Sequence, residues 1–338
     1  VRSFARRGPA AVAGAVVLAA GLAACSGGSP AKRTAASPSS GAPSASPSAA
    51  VNPLTGTRAG VGKPVLAVKI ENTRAAMPQV GVSAADLVYV EQVEGGETRL
   101  MALFSSHLPA RVGPVRSARI SDLHLLPQFG RPAFAFSGVQ GKMKKHVKAA
   151  PVYDVSEDAG PKGYSRSSAK PAPYNLYGDP RDLLKRAPNA QPSKDVGFRF
   201  GPAPEGGKPT SSFTARWPAA RMGFTWSAKQ KRWLASWGGT PDRAAEGGVL
   251  GGATIVVQYA ETTRSRFHDF LGSYTPLIHT TGTGRATVLR DGRAYDARWS
   301  RPSENAGTTF TTATGAPMTF ASGQVWVVLV NDGKPYMP

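Results

Sequence analysis

Apolar residues along this chain fall into short runs separated by Gly, Pro, Asn and Asp, the rhythm of a strand-rich protein. Val65–Ile70 (VLAVKI) is a continuous apolar run suited to a strand buried on both faces. A turn at Ser83–Asp86 precedes a strand over Leu87–Val93 (LVYVEQV). After Glu94-Gly95-Gly96, Thr98–Ser105 (TRLMALFS) returns as the second arm of a hairpin. Ser117 is placed to cap a short helix carrying Ile120, Leu123 and Leu126, which Pro127 and Gly130 end. Pro132–Ser137 reads as a strand and Asp179–Ala187 as another short helix. Gly141–Ala150 reads as a basic amphipathic helix, with Met143 and Val147 opposed by Lys142, Lys145 and Lys148.

From Pro188 to Ser212 the chain turns rich in Pro, Gly and Lys, and a division is expected there. It gives a first domain over 52–193, a linker over 194–212 and a second domain over 213–338. The second part is mostly β, with strands at Phe213–Trp217, Arg232–Trp237, Ala253–Ala260, Arg285–Leu289 and Gln324–Val330. Asp291-Gly292 is a hairpin-turn signal. The expected fold is mixed α/β: a layered mixed sheet with short helices, then a smaller β-rich domain.

The residues before 52 follow another pattern. Arg2, Arg6 and Arg7 precede an uncharged run from Pro9 to Ala24, too short to span a bilayer as a helix. A basic start, a short apolar core and small residues before a cleavage point make a secretory signal over 1–24. Leu22-Ala23-Ala24-Cys25 resembles a bacterial lipobox, in which the cysteine is lipidated. Residues 26–51 hold eight Ser, seven Ala, four Pro and three Gly, so 25–51 is expected to be a disordered, lipid-anchored tether. Cys25 is the one cysteine of the chain, which excludes an intramolecular disulfide and leaves no thiol for catalysis. The expected location is the outer face of the cytoplasmic membrane.

The chain of 338 residues has a formal charge of +20, from 41 Lys and Arg against 21 Asp and Glu. Arg2, Arg6, Arg7, Lys32 and Arg33 precede residue 52, which leaves 36 bases and +15 beyond it. That charge is shared by both parts, and the expected location argues against nucleic acid. The five histidines lack metal-ligand spacing, and Gly282-Thr-Gly284 precedes a strand instead of a helix. No metal and no cofactor are expected.

Three phrases in the first domain are similar to a known family. They are Val68–Thr73 (VKIENT), Ala85–Tyr89 (ADLVY) running into Val93–Arg99 (VEGGETR), and Val112–Arg119 (VGPVRSAR). In this order they resemble the YerB-like lipoprotein family of bacteria, long labelled as a domain of unknown function. Gly284-Arg285-Ala286, Asp291-Gly292 and Trp299 look like its second domain. The resemblance implies the same two-part fold and no established reaction. It suggests an accessory role at the cell wall, with a wall polymer or wall-synthesis proteins as partners.

Arg116 and Arg119, with Ser117 between them and Asp122 following, could converge on a phosphate, pyrophosphate or carboxylate at a helix start. The bland alternative pairs these arginines with Glu91, Glu94 or Asp122. Glu91, Glu94 and Glu97 are the close carboxylate cluster of the chain, and two of them could divide acid and base roles on a glycopolymer. Strand alternation puts Glu91 and Glu94 on opposite faces unless Gly95-Gly96 makes a bulge. The leading expectation is a binding or scaffold protein using Glu91, Glu94, Arg99, Arg116, Ser117, Arg119 and Asp122, with no catalytic residue. A hydrolase or transferase using Glu91 and Glu94 with Arg116 and Arg119 is the alternative.

Overall fold

Three adjacent strands frame the molecule: β1 (Leu66–Glu71), β2 (Leu87–Gln92) and β3 (Thr98–Phe104), every residue of which is buried. Strands covered on both faces read as near-continuous apolar runs, which is why their sequences lack alternation. In the computed structural model, which describes residues 50–269 and 271–333, they lie at the heart of a mixed sheet of eleven strands. The export signal, Cys25 and all but the last two tether residues lie outside the described residues.

The first part adds α1 (Ile120–Leu125), β4 (Ala133–Ala135), α2 (Lys144–Ala149), β5 (Tyr153–Asp154) and α3 (Pro180–Lys185). The second part is all strand: β6 (Ser212–Arg216), β7 (Arg221–Ser227), β8 (Arg232–Trp237), β9 (Thr254–Ala260), β10 (Thr262–His268) and β11 (Tyr274–Ile278). β12 (Gly282–Arg290), β13 (Arg293–Arg301), β14 (Thr309–Thr312) and β15 (Val325–Asn331) complete it. The large sheet runs β14-β13-β12-β9-β15-β2-β3-β1-β4-β5. β15 lies parallel to β2, Leu87 beside Val325, so the two parts of the chain join in one sheet.

Each face of this sheet is closed differently. Ala67, Leu87, Tyr89 and Met101 pack with α1 and the buried Met143 and Val147 of the α2 region. Leu66, Val68, Val88, Leu100 and Trp326 pack under a second sheet containing β6, β7 and β8, through Trp217, Phe224 and Trp233. Residues from Ala49 on form one compact unit, and both cores are drawn from it.

The helix expected from Ser117 starts later. Its N-cap is Arg119, whose backbone N–H donates to Asp122 Oδ2 at 2.6 Å. Pro127 lies inside a following 3-10 turn, Leu126–Phe129, that Gly130 ends. Asp291-Gly292 does make the β12–β13 turn, both residues at positive φ.

Candidate functional site

Register brings charged residues of three strands into one row. Glu71 of β1 faces Arg99 of β3, and Arg99 faces Glu91 of β2. Lys69, two residues back on β1, shares Glu71's side of the sheet because side chains alternate. Its Nζ donates to Glu91 Oε2 at 2.8 Å and to Asp122 Oδ1 at 2.7 Å, with none of the three side chains more than 1% exposed. Two carboxylates on one ammonium leave an excess negative charge away from water. Burial, reinforced by the Asp122 charge and opposed by Lys69, pushes Glu91 up to about 8. A proton held on this pair brings the cluster to neutrality.

Next to it the same chemistry is left open. Glu71 Oε2 accepts from Arg116 Nε at 2.6 Å and lies 3.4 Å from Arg99 Nε. Burial opposes its charge, but Arg99 and Arg116 together hold Glu71 below the ordinary carboxylate range. Arg116 thus spends one nitrogen on Glu71, and its two terminal nitrogens meet no acceptor among the described residues. Its guanidinium lies 5.7 Å from the centre of the Tyr174 ring, within cation–π range. Arg99 donates through Nη1 to the Ser117 carbonyl at 3.3 Å, and its Nη2 meets no acceptor among the described residues. Burial, with Arg119 and Arg116 close by, pulls Arg99 down to about 10, so it stays charged at neutral pH.

Arg119 is fully engaged. Its Nε and Nη2 donate to Glu94 Oε2 at 2.8 and 2.6 Å, and its Nη1 to the carbonyls of Ser117 and Ala118. Burial works against the Glu94 charge, yet Arg119 holds this carboxyl below its usual range, and the Thr275 hydroxyl donates to its other oxygen. Glu97 forms no ion pair among the described residues, and burial beside Glu71 raises its carboxyl.

These groups wall a cleft of about 710 Å³. Glu94, Arg99, Arg116, Ser117 and Arg119 line it as a group, whereas Glu91 and Asp122 lie beneath it in the Lys69 cluster. Three details differ from the expectation. Arg116 converges with Arg99, since Glu94 already takes up Arg119. The N-cap backbone N–H of Arg119 is taken by Asp122, and the helix is too short to act as an anion site itself. Glu91 and Glu94 do not face each other across the cleft, because Glu91 closes on Lys69 and Glu94 on Arg119. Glu94 escapes strand alternation because β2 ends at Gln92 and Glu94 opens a turn with Gly95 and Gly96 at positive φ. A side chain on Gly96 would come within 2.5 Å of Pro218.

Lys69, Glu71, Tyr174, Thr275 and His268 were not anticipated at the site. The signal for the first two was present: charges at alternate positions of an otherwise apolar strand share one face, where they need partners.

Comparison with known proteins agrees with this architecture. The family described as protein of unknown function (DUF3048) matches through its N-terminal domain over residues 54–193 and its C-terminal domain over 213–327. YerB of Bacillus subtilis (strain 168), named as a candidate lipoprotein, is 34% identical over 122 residues. The chain belongs to the YerB-like family. The identical stretch spans 36% of this chain and 37% of the B. subtilis relative. The crystal structure of B. subtilis YerB superposes with a TM-score of 0.70 at 22% identity, covering 83% of this chain and 97% of that one. At that identity the superposition establishes the YerB-like fold, mixed and sheet-dominated with short helices. The two family domains leave 194–212 between them, a segment that pairs Lys208–Pro209 with β13 and buries Val196 and Phe198 in the core.

Proposed function

We propose that this chain is a lipid-anchored envelope protein whose cleft binds an anionic, phosphate- or carboxylate-bearing component of the cell wall without turning it over. The observation that carries this reading is Arg116, oriented by one bond to buried Glu71 and open at both terminal nitrogens. A guanidinium held in this way is pre-set for two-pronged recognition of an oxyanion. Arg99 also pairs with Glu71, which among the described residues is the one carboxylate in an ion pair with either arginine. Glu97 and Asp269 also line the cleft, so what the site offers a ligand is the two open terminal nitrogens of Arg116 and not a net positive charge. The name of the B. subtilis relative supports an anchor at Cys25, and with it a place on the outer face of the membrane. Among the described residues no helix is long and apolar enough to cross a bilayer.

The test joins capture to affinity. A photo-crosslinking residue at Val139, on the cleft wall, should capture wall polymer or a wall-synthesis protein in cells. Arg116→Gln should abolish that capture and weaken binding of inorganic pyrophosphate about ten- to a hundredfold, the worth of a lost charge-assisted bond. Equal capture and equal affinity in a folded Arg116→Gln protein would overturn the reading.

A further inference from the structure

A second charged surface adjoins the cleft. β10 and β11 form a hairpin outside the large sheet, and Asp269 fixes its turn. Asp269 Oδ1 accepts from the backbone N–H groups of Leu271 and Ser273, each at 2.9 Å. On this braced turn Leu271 is 76% exposed, the highest value among the large apolar residues described, and Tyr274 is exposed beside it. The turn end of the hairpin leans on the α2 region. Phe267 meets the His146 ring edge-on at 5.6 Å, and Gln140 donates to the His268 carbonyl.

Where the two elements meet there is a groove of about 430 Å³ lined by Lys142, Lys145 and Arg266 with Gly141 and Phe267. No carboxylate lines it. Lys144 and Lys148 line a separate groove with Asp154 and Asp158, whereas none of Lys142, Lys145 and Arg266 forms an ion pair among the described residues. Like charges this close repel one another, so the surface is stabilised by a multiply anionic neighbour.

We propose that this face docks on an anionic bilayer surface, its cations against lipid phosphates and Leu271 inserted at the acyl boundary. Cations outside any ion pair among the described residues, together with an exposed leucine beside the Asp269 bonds, match the order of a membrane interface, charged headgroups outside and hydrocarbon beneath. A soluble polyanion would satisfy the lysines but leave Leu271 without a partner. The cleft wall shares these elements through Gln140, Met143, His268 and Asp269, so docking brings the cleft to headgroup level. The proposal does not depend on what the cleft binds.

The experiment uses the compact unit from Ala49 on, which has no cysteine and hence no lipid anchor. It should sediment with vesicles containing phosphatidylglycerol and not with pure phosphatidylcholine vesicles. Each charge removed among Lys142, Lys145 and Arg266 should weaken binding roughly fivefold, and the triple reversal to Glu should abolish it. Leu271→Asp should weaken it further than the single-charge variants, with an unchanged denaturation midpoint. A polarity-sensitive dye on Leu271→Cys should shift to the blue on anionic vesicles. Equal binding to both vesicle types, indifference to the triple reversal, or tight binding to soluble polyphosphate with no vesicle binding would each overturn the proposal.

Discussion

Lys69 and Glu71 stand two residues apart on one strand and face the same way, yet their surroundings have opposite consequences. Around Lys69 the charges meet one another inside the fold: Glu91 and Asp122 accept hydrogen bonds from its Nζ, and Asp122 also caps α1. Around Glu71 the carboxylate is saturated while its two arginines keep nitrogens open to the cleft. The difference is which groups the fold leaves open. A buried cluster with surplus negative charge can neutralise itself by holding a proton, whereas a guanidinium cannot shed one near neutral pH, and its open N–H donors are satisfied only by an acceptor from outside. The first arrangement supports structure and the second supports binding.

The comparison can be broken most forcefully at Lys69. Lys69→Met leaves Glu91 and Asp122 buried with no counter-charge and should destabilise the fold by about 3–5 kcal/mol in urea denaturation. Recovery of much of that loss in acid, where both carboxyls are protonated, would identify the cause as charge instead of packing. Glu71→Gln should cost less, about 1–3 kcal/mol, because Arg116 keeps partial access to solvent and the amide oxygen can still accept from it. It should also disorder the guanidinium of Arg116 and weaken pyrophosphate binding. A variant as stable and as tight-binding as the parent would remove Glu71 from the proposed organising role.

The pH dependence of stability sharpens the contrast. A carboxyl that folding keeps protonated holds a proton the unfolded chain releases, so the native state loses stability as pH rises from 4.5 towards 8 for Glu91. Asp242, pushed up to about 7 by burial alone, acts with the same sign. Glu71 and Glu94 act in the opposite sense, and their contribution is lost as pH falls through and below the ordinary carboxylate range. Stability should therefore peak in mild acid. Glu91→Gln, which mimics the protonated form, should flatten part of the decline above the peak; a decline unchanged by Glu91→Gln would contradict the assignment. The smallest effect on stability belongs to the cleft. Arg116→Lys should shift the denaturation midpoint by less than about 1 kcal/mol yet reduce pyrophosphate affinity severalfold, since an ammonium lacks the planar fork.

Much of the framework was legible along the chain. β1, β2, β3, β8, β9 and β15 lie within a residue or two of the apolar runs that mark them, because such runs are stable only when buried. Asp291-Gly292 marks its hairpin by backbone chemistry. β7, β10, β11 and β14 passed unmarked. RMGFTWS and TTRSRFH mix exposed polar residues with few apolar ones, as strands at a surface do. Lys69 and Glu71 were visible only as part of a strand, since their partners come from β2, β3 and the segment leading into α1.

The sequence by itself determined where the central strands form and which family the chain belongs to. These rest on local patterning and on phrases of contiguous residues. Tertiary structure alone decided that both parts share one sheet through β2 and β15, and that Arg116 finds Arg99 while Arg119 is consumed by Glu94. It also decided that Glu91 and Asp122 serve a buried lysine instead of the cleft. The physical reason is common to all three. Strand register and burial determine which charges meet and whether water reaches them, and both depend on residues far apart in the chain.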